Sequence, residues 1–421
     1  MSKEIDTEEI ISELATIVGA THISSAPADV GAYGGLEPFV VVWPGSPPEV
    51  ARVLKICHDE DVVVGIGGPG AKATRHWPVT GERPRVAMDT SRMTNILDLD
   101  EVALTVHCQC GIQVGHLEDA LRRHKLTLGP YPSEIHDSSL GGLLSAPNPH
   151  AYSPRSGWFK DAALAVTVAS PDGSLIHSRV APRKATGPDI SRFFIGSRAA
   201  FGVITTTTLR VHRLPEAELA TGFVLSDMAA ALALAREALV VGVRPARLRV
   251  LGQARAADEF GELSGTAKAA VLTVLEGPRA LVTVEHQHLR DLARRLDGEE
   301  LSSSLADRWR ARRATPGQAP RSISAGSRLP HSRLADVVQA IPAVIKGLPV
   351  LVWAEEVSLQ GATLWLECRG LDDAENTLRS VLLNAGADPV RFDFPPLMGE
   401  LTQALDHAGT MVVMEGEWSD S

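Results

Sequence analysis

The stretch from Pro182 to Val211 places the tightest constraint on the fold of this chain. Gly187 and Pro188 interrupt both helices and strand ladders, so the first part of the stretch must be a loop. After a glycine-serine turn, Gly202 opens a predicted strand over residues 203–211, which is rich in β-branched side chains. A loop, a glycine turn and a buried strand form a backbone cradle. Such a cradle suits a flat, polyanionic cofactor, because glycine lets backbone N–H groups approach closely.

Two earlier segments also combine glycine with small polar residues. Residues 65–70 read GIGGPG and follow a predicted strand, an arrangement that can present bare N–H groups to a pyrophosphate. The segment lacks a G-x-G-x-x-G pattern opening a helix, so it does not predict a doubly wound nucleotide-binding domain. Residues 129–142 read GPYPSEIHDSSLGG and end in a glycine pair. His136 and Asp137 within it are better interpreted as a solvated loop pair than as an acid–base pair.

These segments resemble the FAD-binding domain of the vanillyl-alcohol oxidase/p-cresol methylhydroxylase flavoproteins, the PCMH type. The resemblance is to the branch of D-lactate dehydrogenase, glycolate oxidase and alkyldihydroxyacetonephosphate synthase. The family pattern, roughly K-x-x-G-[YP]-D-[LI] and then G-S-E-G-T-L-G-[VI]-I-T, is followed from Lys184 to Thr205. The family patterns R-G-G-G-T and P-x-S…T-[IL]-G-G fall on the two earlier segments. The resemblance implies FAD as cofactor, with contacts from Gly67, Gly68, Gly70, Pro132, Ser133, Ser139, Leu140, Gly141, Gly142, Lys184, Gly187, Asp189, Gly202, Val203 and Ile204.

The chain departs from the family pattern in two of these segments. Pro69 stands where a third glycine is usual, and proline has no N–H to donate. Arg198, Ala199 and Ala200 stand where the family has Glu-Gly-Thr. Covalent members attach flavin to a histidine in the first loop, but residues 65–70 contain none. The resemblance therefore implies noncovalent FAD, with an affinity lowered by the donor that Pro69 lacks.

Length and repeating pattern predict two domains. A chain of 421 residues exceeds one ordinary core. We expect an FAD-binding domain over residues 1–215 and a substrate or cap domain over residues 216–421, with a C-terminal region shorter than is usual in the family. The second part repeats a strand–helix–strand unit, which is typical of an antiparallel sheet with helices on one face. The predicted fold class is α+β: a two-subdomain PCMH-type FAD-binding domain followed by a ferredoxin-like antiparallel α+β cap domain.

The amino-acid composition limits which partners the chain can bind and in which compartment we expect it. With a net charge of −10, the chain has no excess of basic residues that would attract nucleic acid or an anionic membrane. No run of 18 apolar residues predicts a membrane span, and the N-terminus lacks the apolar region of a signal peptide. Four cysteines are too few for a disulfide framework. We therefore expect a cytoplasmic protein whose partners are a small-molecule substrate and an electron acceptor or partner subunit.

The predicted cap holds one candidate substrate-binding residue. Trp309 and Arg312 match a W-x-x-R pattern that in the 2-hydroxy-acid branch supplies a carboxylate-binding arginine. The alternative interpretation is a solvated helix face with a packed Trp309. Residues 351–367 contain glutamates but no histidine, so no metal site is predicted. The sequence does not identify a catalytic base.

Three functions remain open at this point. The first is FAD-dependent oxidation of a small 2-hydroxy acid, of the glycolate or D-lactate type, by hydride transfer to noncovalent FAD. The second is an alkyldihydroxyacetonephosphate-synthase-like flavoenzyme, since residues 182–190, PRKATGPDI, resemble that branch more closely. The third is a catalytically degenerate flavin-fold subunit of a larger complex, which the departures at Pro69 and Arg198 favour. We expect an enzyme of the first kind.

Overall fold

The computed structural model describes residues 6–33, 36–67, 83–131, 135–146, 152–181, 189–260, 269–311, 322–345, 350–355, 357–369, 374–387, 406, 410 and 411. Within these ranges, no helix is both long enough and apolar enough to cross a membrane. Three clusters of strands and helices follow one another along the chain.

The first cluster is built on a small, mainly parallel sheet. Its described elements are α1 (Thr7–Val18), β1 (Ile23–Ser24), α2 (Pro27–Gly31), β2 (Val40–Val42), α3 (Pro47–Asp59), β3 (Val63–Gly67) and β4 (Arg85–Asp89). The described strands lie in the order β1-β2-β4-β3. Strands β2, β4 and β3 are parallel, while β1 is antiparallel to β2. Valines dominate these strands, and α1 and α3 cover them with their apolar faces, so the sheet is buried as parallel sheets require.

The second cluster contains the strand predicted from the opening stretch. Its described elements are β5 (Ile96–Asp100), β6 (Thr105–Gln109), α4 (Val114–Arg123), β7 (Leu126–Thr127), α5 (Leu140–Ser145), β8 (Tyr152–Ser153), β9 (Gly157–Trp158), β10 (Ala163–Ala169), β11 (Leu175–His177), α6 (Ser191–Phe194), β12 (Val203–Arg210) and β13 (His212–Arg213). The main sheet of this described part is antiparallel with the order β11-β10-β12-β6-β5. Strand β12 lies at its centre. Buried hydroxyls of Thr205 and Thr207 donate to carbonyl oxygens of β10, which satisfies these polar groups inside the core.

The third cluster is one large antiparallel sheet with helices. Its described elements are β14 (Ala217–Leu225), α7 (Met228–Val240), β15 (Arg247–Gly252), α8 (Gln253–Phe260), β16 (Ala269–Gly277), α9 (Arg279–Arg295), β17 (Glu299–Glu300), α10 (Ser303–Ala311), β18 (Ser322–Pro330), α11 (His331–Ile345), β19 (Val350–Glu355), β20 (Gly361–Arg369) and α12 (Ala374–Asn384). The described strands follow the order β17-β14-β16-β15-β19-β20-β18. The antiparallel α+β arrangement is thus as predicted, but helices cover both faces of the sheet, whereas helices on one face were expected. The long helices α7, α9, α11 and α12 pack on one face, and α8 and α10 pack on the other, around three tryptophans.

Contacts tie the third sheet to the second and the end of the described chain to the first. Ser153 Oγ donates to the Ala246 carbonyl oxygen over 2.7 Å, which joins β8 to the start of β15. Far along the chain, Met411 forms a parallel bridge with Val64, whose N–H donates to the Thr410 carbonyl oxygen over 2.6 Å. Residues 410 and 411 therefore extend the β3 edge of the first sheet, although they follow the third sheet in sequence.

Candidate functional site

A cleft between the first and second sheets collects residues from four separate segments. It contains about 560 Å³ of empty space, including its open mouth. The described residues that line it are Ile66, Gly67, Thr90, Ser139, Gly141, Gly142, Ser145, Ala146, Arg198, Ala199, Val203 and Ile204. Six of these were predicted as cofactor contacts: Gly67, Ser139, Gly141, Gly142, Val203 and Ile204. The structure thus brings all three predicted segments to one place.

The other predicted contacts fall into two groups. Leu140 is fully buried in the second core, Asp189 accepts a hydrogen bond from the Ser191 N–H at the start of α6, and Gly202 precedes β12. These three are not among the lining residues of the cleft. The remaining predicted contacts lie outside the described residues: Gly68, Gly70, Pro132, Ser133, Lys184 and Gly187.

The first sheet contributes the carboxyl end of β3, where Gly67 packs under an aromatic ring. A Cβ atom at Gly67 would lie 2.7 Å from Tyr33 Cε1, which is too close for a side chain. The Tyr33 hydroxyl donates to Asp89 Oδ2 over 2.6 Å, and both residues are buried. Burial, reinforced by this hydrogen bond, raises the pKa of Tyr33 above its usual range. Glycine at position 67 is therefore required by the protein's own packing, whatever ligand the cleft holds.

Helix α5 forms the opposite wall, and its first N–H groups already have partners. The Gly141 N–H donates to the Cys110 carbonyl oxygen over 2.7 Å. The Gly142 N–H donates to Ser139 Oγ over 3.2 Å, so Ser139 is the N-cap of α5. A Cβ at Gly141 would lie 3.1 Å from the same Cys110 oxygen. This glycine lets α5 approach the end of β6 closely, and its N–H is committed to that contact.

A tight loop between α6 and β12 places Arg198 at the cleft. Two hydrogen bonds fix the loop to α5: the Gly196 N–H donates to the Leu144 oxygen over 2.8 Å, and the Arg198 N–H donates to the Ser145 oxygen over 2.7 Å. Arg198 and Ala199 both adopt the left-handed region, with φ of 54° and 66°. This region is unfavourable for residues with a Cβ, and the family pattern has glycine at position 199. Sequence reasoning noticed Arg198 as a departure and did not predict that it lines the cleft.

A second concentration of polar and aromatic side chains lies on the cap sheet, on the face that carries α8 and α10. Trp353 and Trp365 stack with ring centroids 6.3 Å apart. The Arg255 guanidinium lies 4.6 Å from the Trp353 ring centroid, and its Nη1 donates to Glu367 Oε2 over 2.7 Å. Trp353 is 5% exposed, and its indole Nε1–H has no hydrogen-bond acceptor among the described residues. A buried donor of this kind is uncommon in proteins and calls for an explanation.

The predicted substrate residue borders this second cluster. Trp309, at the end of α10, is 2% exposed and packs in the same cluster as Trp353, with the Arg247 guanidinium 4.8 Å from its ring centroid. The packed Trp309 of the alternative interpretation is thus observed. Arg312 lies outside the described residues, so its role stays a prediction. Sequence reasoning missed Arg255 and Trp353; the alternation Trp365-x-Glu367 opposite leucines is the signal that marks this face.

The described residues contain no group of three or more His, Cys, Asp or Glu side chains placed to hold a metal ion. Cys57, Cys108 and Cys110 are free and buried. Burial raises the pKa of Cys57 and of Cys108 to about 12, which keeps both thiols protonated.

The cleft suits the diphosphate of FAD in shape and charge. None of its described lining residues is acidic, most are small, and one is an arginine. Residues 38–179 match an FAD-binding domain family, which covers both walls of the cleft up to β11. Residues 38–179 are therefore identified as an FAD-binding domain of the PCMH type. The predicted family, fold class and cofactor are thereby confirmed.

Several curated proteins are similar to this PCMH-type chain. An uncharacterized FAD-linked oxidoreductase of Escherichia coli, YgcU, is 27% identical over 317 residues, which is 71% of this chain and 65% of that protein. The alkyldihydroxyacetonephosphate synthase of Caenorhabditis elegans is 28% identical over 216 residues, 51% of this chain and 36% of the synthase. The mitochondrial D-lactate dehydrogenase [cytochrome] 1 of Saccharomyces cerevisiae is 26% identical over 231 residues, 51% of this chain and 39% of the dehydrogenase. The chain thus matches less than two thirds of the length of each relative.

Solved structures share the fold over nearly the whole chain. A structure of alkyldihydroxyacetonephosphate synthase superposes with a TM-score of 0.83 and 19% identity, covering 96% of this chain and 85% of the synthase. A p-cresol methylhydroxylase with substrate bound superposes with a TM-score of 0.73 and 13% identity, covering 97% of each chain. At these identities the likeness extends to the fold.

Proposed function

We propose that this protein is an FAD-dependent oxidoreductase that oxidises a small 2-hydroxy acid, of the glycolate or D-lactate type, with noncovalent FAD. The observation that carries the proposal is the cleft itself. Three segments far apart in sequence, around Gly67, Ser139 and Val203, meet there between two sheets. FAD, when bound, accepts the hydride that leaves the substrate α-carbon, so the protein's part is to hold and orient both partners.

The chain's own residues divide this work between two regions. The cleft would hold the diphosphate and its neighbouring atoms, through Gly67, Ser139, Gly142 and the start of β12. The remaining predicted contacts, including those outside the described residues, keep the same assignment as proposals. We also propose a domain division near residue 215, between β13 and β14. The contact of Met411 with Val64 then makes the first domain discontinuous.

The cap face around Trp353 supports an anionic substrate. Its indole N–H is buried without an acceptor among the described residues, and Arg255 lies against the same ring. The indole N–H can donate to a substrate oxygen, but the Arg255 charge is already paired with Glu367, so the positive charge for a carboxylate would come from Arg312. Arg312 follows α10, whose Trp309 packs in the same cluster, and we assign it that role.

A second candidate is an alkyldihydroxyacetonephosphate-synthase-like flavoenzyme. The PRKATGPDI segment favours it, as does a 30% identity over 214 residues to the Dictyostelium discoideum synthase. A phosphate-bearing substrate could also accept a hydrogen bond from the Trp353 indole on this cap face. A third candidate, a catalytically degenerate subunit working beside a partner subunit, is favoured by Pro69 and Arg198 at the cofactor segments.

The visible spectrum of the purified protein and its response to substrates distinguish these candidates. A flavin band near 450 nm is expected from the first two, whereas a colourless protein that cannot be loaded with FAD would contradict both. Anaerobic bleaching of that band by glycolate or D-lactate, but not by the L-lactate control, would support 2-hydroxy-acid oxidation. If the band changes only with an acyl-dihydroxyacetonephosphate, the second candidate is favoured. If the flavin responds to none of these compounds, the third candidate is favoured.

Acid precipitation tests the noncovalent linkage. Since residues 65–70 contain no histidine, the yellow colour should remain in the supernatant. Colour that stays with the protein pellet would mean a covalent flavin.

A further inference from the structure

The cofactor cleft contains a single charged side chain among its described lining residues. Arg198 lines the cleft together with glycine, alanine, serine, threonine, valine and isoleucine. Arg198 is half-buried, and its guanidinium forms no ion pair or hydrogen bond with any residue that the structure describes. Burial lowers the pKa of Arg198 from its ordinary value, although an arginine remains protonated at neutral pH.

A half-buried cation that has no partner among the described residues is unfavourable, because it loses part of its hydration without a compensating ion pair. The backbone nevertheless holds it in place at further cost. Residues 198 and 199 are both left-handed, and two hydrogen bonds to α5 fix the loop. A charge held in this way at a cleft is arranged for an anion that the cleft receives.

Two N–H groups of the described cleft lining already have acceptors. The Gly141 N–H is committed to the Cys110 carbonyl oxygen, and the Gly142 N–H is shared with Ser139 Oγ. Pro69, in the segment predicted to face the diphosphate, has no N–H at all. A diphosphate bound here would therefore lack part of the backbone compensation that a three-glycine loop supplies.

We propose that the guanidinium of Arg198 is the counter-ion of the FAD diphosphate in this protein and compensates for the N–H donor that Pro69 lacks. The inference rests on the proposed binding of FAD in this cleft. Arginine suits the role because its planar fork can donate two parallel hydrogen bonds to one phosphate.

Release of FAD from the full-length holoprotein tests the proposal. The holoprotein is diluted, and the fluorescence of released FAD gives its dissociation constant at several salt concentrations; ADP, which has the diphosphate without the flavin ring, is the competitor. Arg198→Gln keeps most of the stem and removes the charge. Arg198→Lys keeps the charge and removes the fork. Arg123→Gln, an exposed arginine on α4, removes the same charge away from the cleft and is the control.

Arg198→Gln should raise the FAD dissociation constant about 10- to 100-fold, the range for a hydrogen bond to a charged group. It should raise the ADP inhibition constant by the same factor and flatten the salt dependence. The FAD dissociation constant of Arg198→Lys should lie between those of the parent and of Arg198→Gln. The dissociation constant of Arg123→Gln should equal that of the parent. An Arg198→Gln protein that holds FAD as tightly as the parent would overturn the proposal. So would a loss of FAD affinity with unchanged ADP inhibition, because the arginine would then contact the flavin ring.

Two further results separate this inference from the proposed function. A parent protein that binds neither FAD nor ADP would contradict the cofactor site itself, not the assignment of Arg198 alone. If Arg198→Gln fails to fold by circular dichroism, the salt dependence of the parent and the Arg198→Lys protein decide. If the FAD affinity of the parent does not fall as the salt concentration rises, the diphosphate contact is contradicted. If Arg198→Lys has the FAD affinity of the parent and the salt dependence of Arg123→Gln, the contact is not bidentate.

Discussion

The hydroxyl of Tyr33 donates a hydrogen bond to Asp89 Oδ2 over 2.6 Å, and neither residue is exposed. Tyr33 follows α2 and Asp89 ends β4, so this bond fixes a helical segment to the end of the parallel sheet. The tyrosine ring then covers Gly67 at the end of β3. The floor of the cofactor cleft is therefore shaped by a polar contact that involves no ligand.

Loss of this hydroxyl should destabilise the fold. Tyr33→Phe removes a donor to a buried carboxylate, and we expect the free energy of unfolding to fall by about 1.5–3 kcal/mol. Urea denaturation followed by circular dichroism measures it. Tyr131→Phe is the matched control, because the Tyr131 hydroxyl forms no hydrogen bond with a described residue. Equal effects of the two substitutions would mean that the Tyr33–Asp89 bond contributes nothing.

The packing of Gly67 against Tyr33 predicts coupling between the two positions. Gly67→Ala should destabilise the parent protein, because its Cβ would lie 2.7 Å from Tyr33 Cε1. In a Tyr33→Leu background the added destabilisation should be smaller by about 0.5–3 kcal/mol, the usual range for residues in contact. A double-mutant cycle by urea denaturation measures this coupling. If the destabilisations by Gly67→Ala and Tyr33→Leu are additive, and Gly67→Ala lowers the FAD affinity in both backgrounds, the added Cβ clashes with the ligand and not with Tyr33.

Two glycines of the Arg198 loop should respond very differently to alanine. A Cβ at Gly202 would overlap the Ala169 carbonyl oxygen, and the residue has φ of 130°. Gly196 has φ of 84° with nothing within 4 Å of an added Cβ. We expect Gly196→Ala to cost about 1 kcal/mol, from backbone conformation alone. Gly202→Ala should cost several times more or prevent folding. Thermal unfolding compares them, and similar midpoints would contradict the described geometry.

The stability of the protein should decline in mild acid through His212. Burial, followed by the charges of Arg210 and Arg155, lowers the pKa of His212 below its ordinary value. The unfolded state then binds the proton more readily, so the free energy of unfolding falls as the pH falls below about 6.5. His212→Gln should flatten this part of the profile, measured by urea denaturation between pH 5 and 8. His288→Gln, on the exposed side of α9, controls for the loss of an imidazole, and equal profiles for the two variants would refute the assignment.

The indole N–H of Trp353, which has no acceptor among the described residues, gives a test of the proposed substrate site. Trp353→Phe keeps an aromatic ring beside Arg255 and removes the buried N–H. If this donor binds the substrate, kcat/KM should fall by the factor that corresponds to about 1–3 kcal/mol of lost transition-state stabilisation. The protein should remain folded and keep its FAD. Trp309→Phe, in the same cluster, is the control for lost ring volume. If Trp353→Phe has unchanged kinetics and its flavin is still reduced by substrate, the substrate does not bind at Trp353.

The sequence was informative where a local pattern alone determines the structure. The β-branched run after Gly202 gave β12, and the repeated strand–helix units after residue 215 gave the antiparallel cap. Local patterns could not give the Tyr33–Asp89 bond, whose partners lie 56 positions apart. Nor could they show that the Gly141 N–H belongs to Cys110, since a glycine turn looks the same whether its donors face a ligand or a neighbouring strand. Arg255 was missed for the same reason: only the folded sheet brings it to Trp353 and Glu367.

The bridge between Val64 and Met411 has a consequence for the order in which the protein is made. Strand β3 is the edge of the first sheet among the described strands, and its N–H at Val64 is satisfied by Thr410. At about 5–20 residues per second, the ribosome needs tens of seconds to pass from one to the other. Throughout that interval Thr410 cannot accept from the Val64 N–H, and a strand edge without its partner is a ready template for pairing with another chain. A newly made molecule should therefore depend on chaperones until the distant segment arrives and closes that edge.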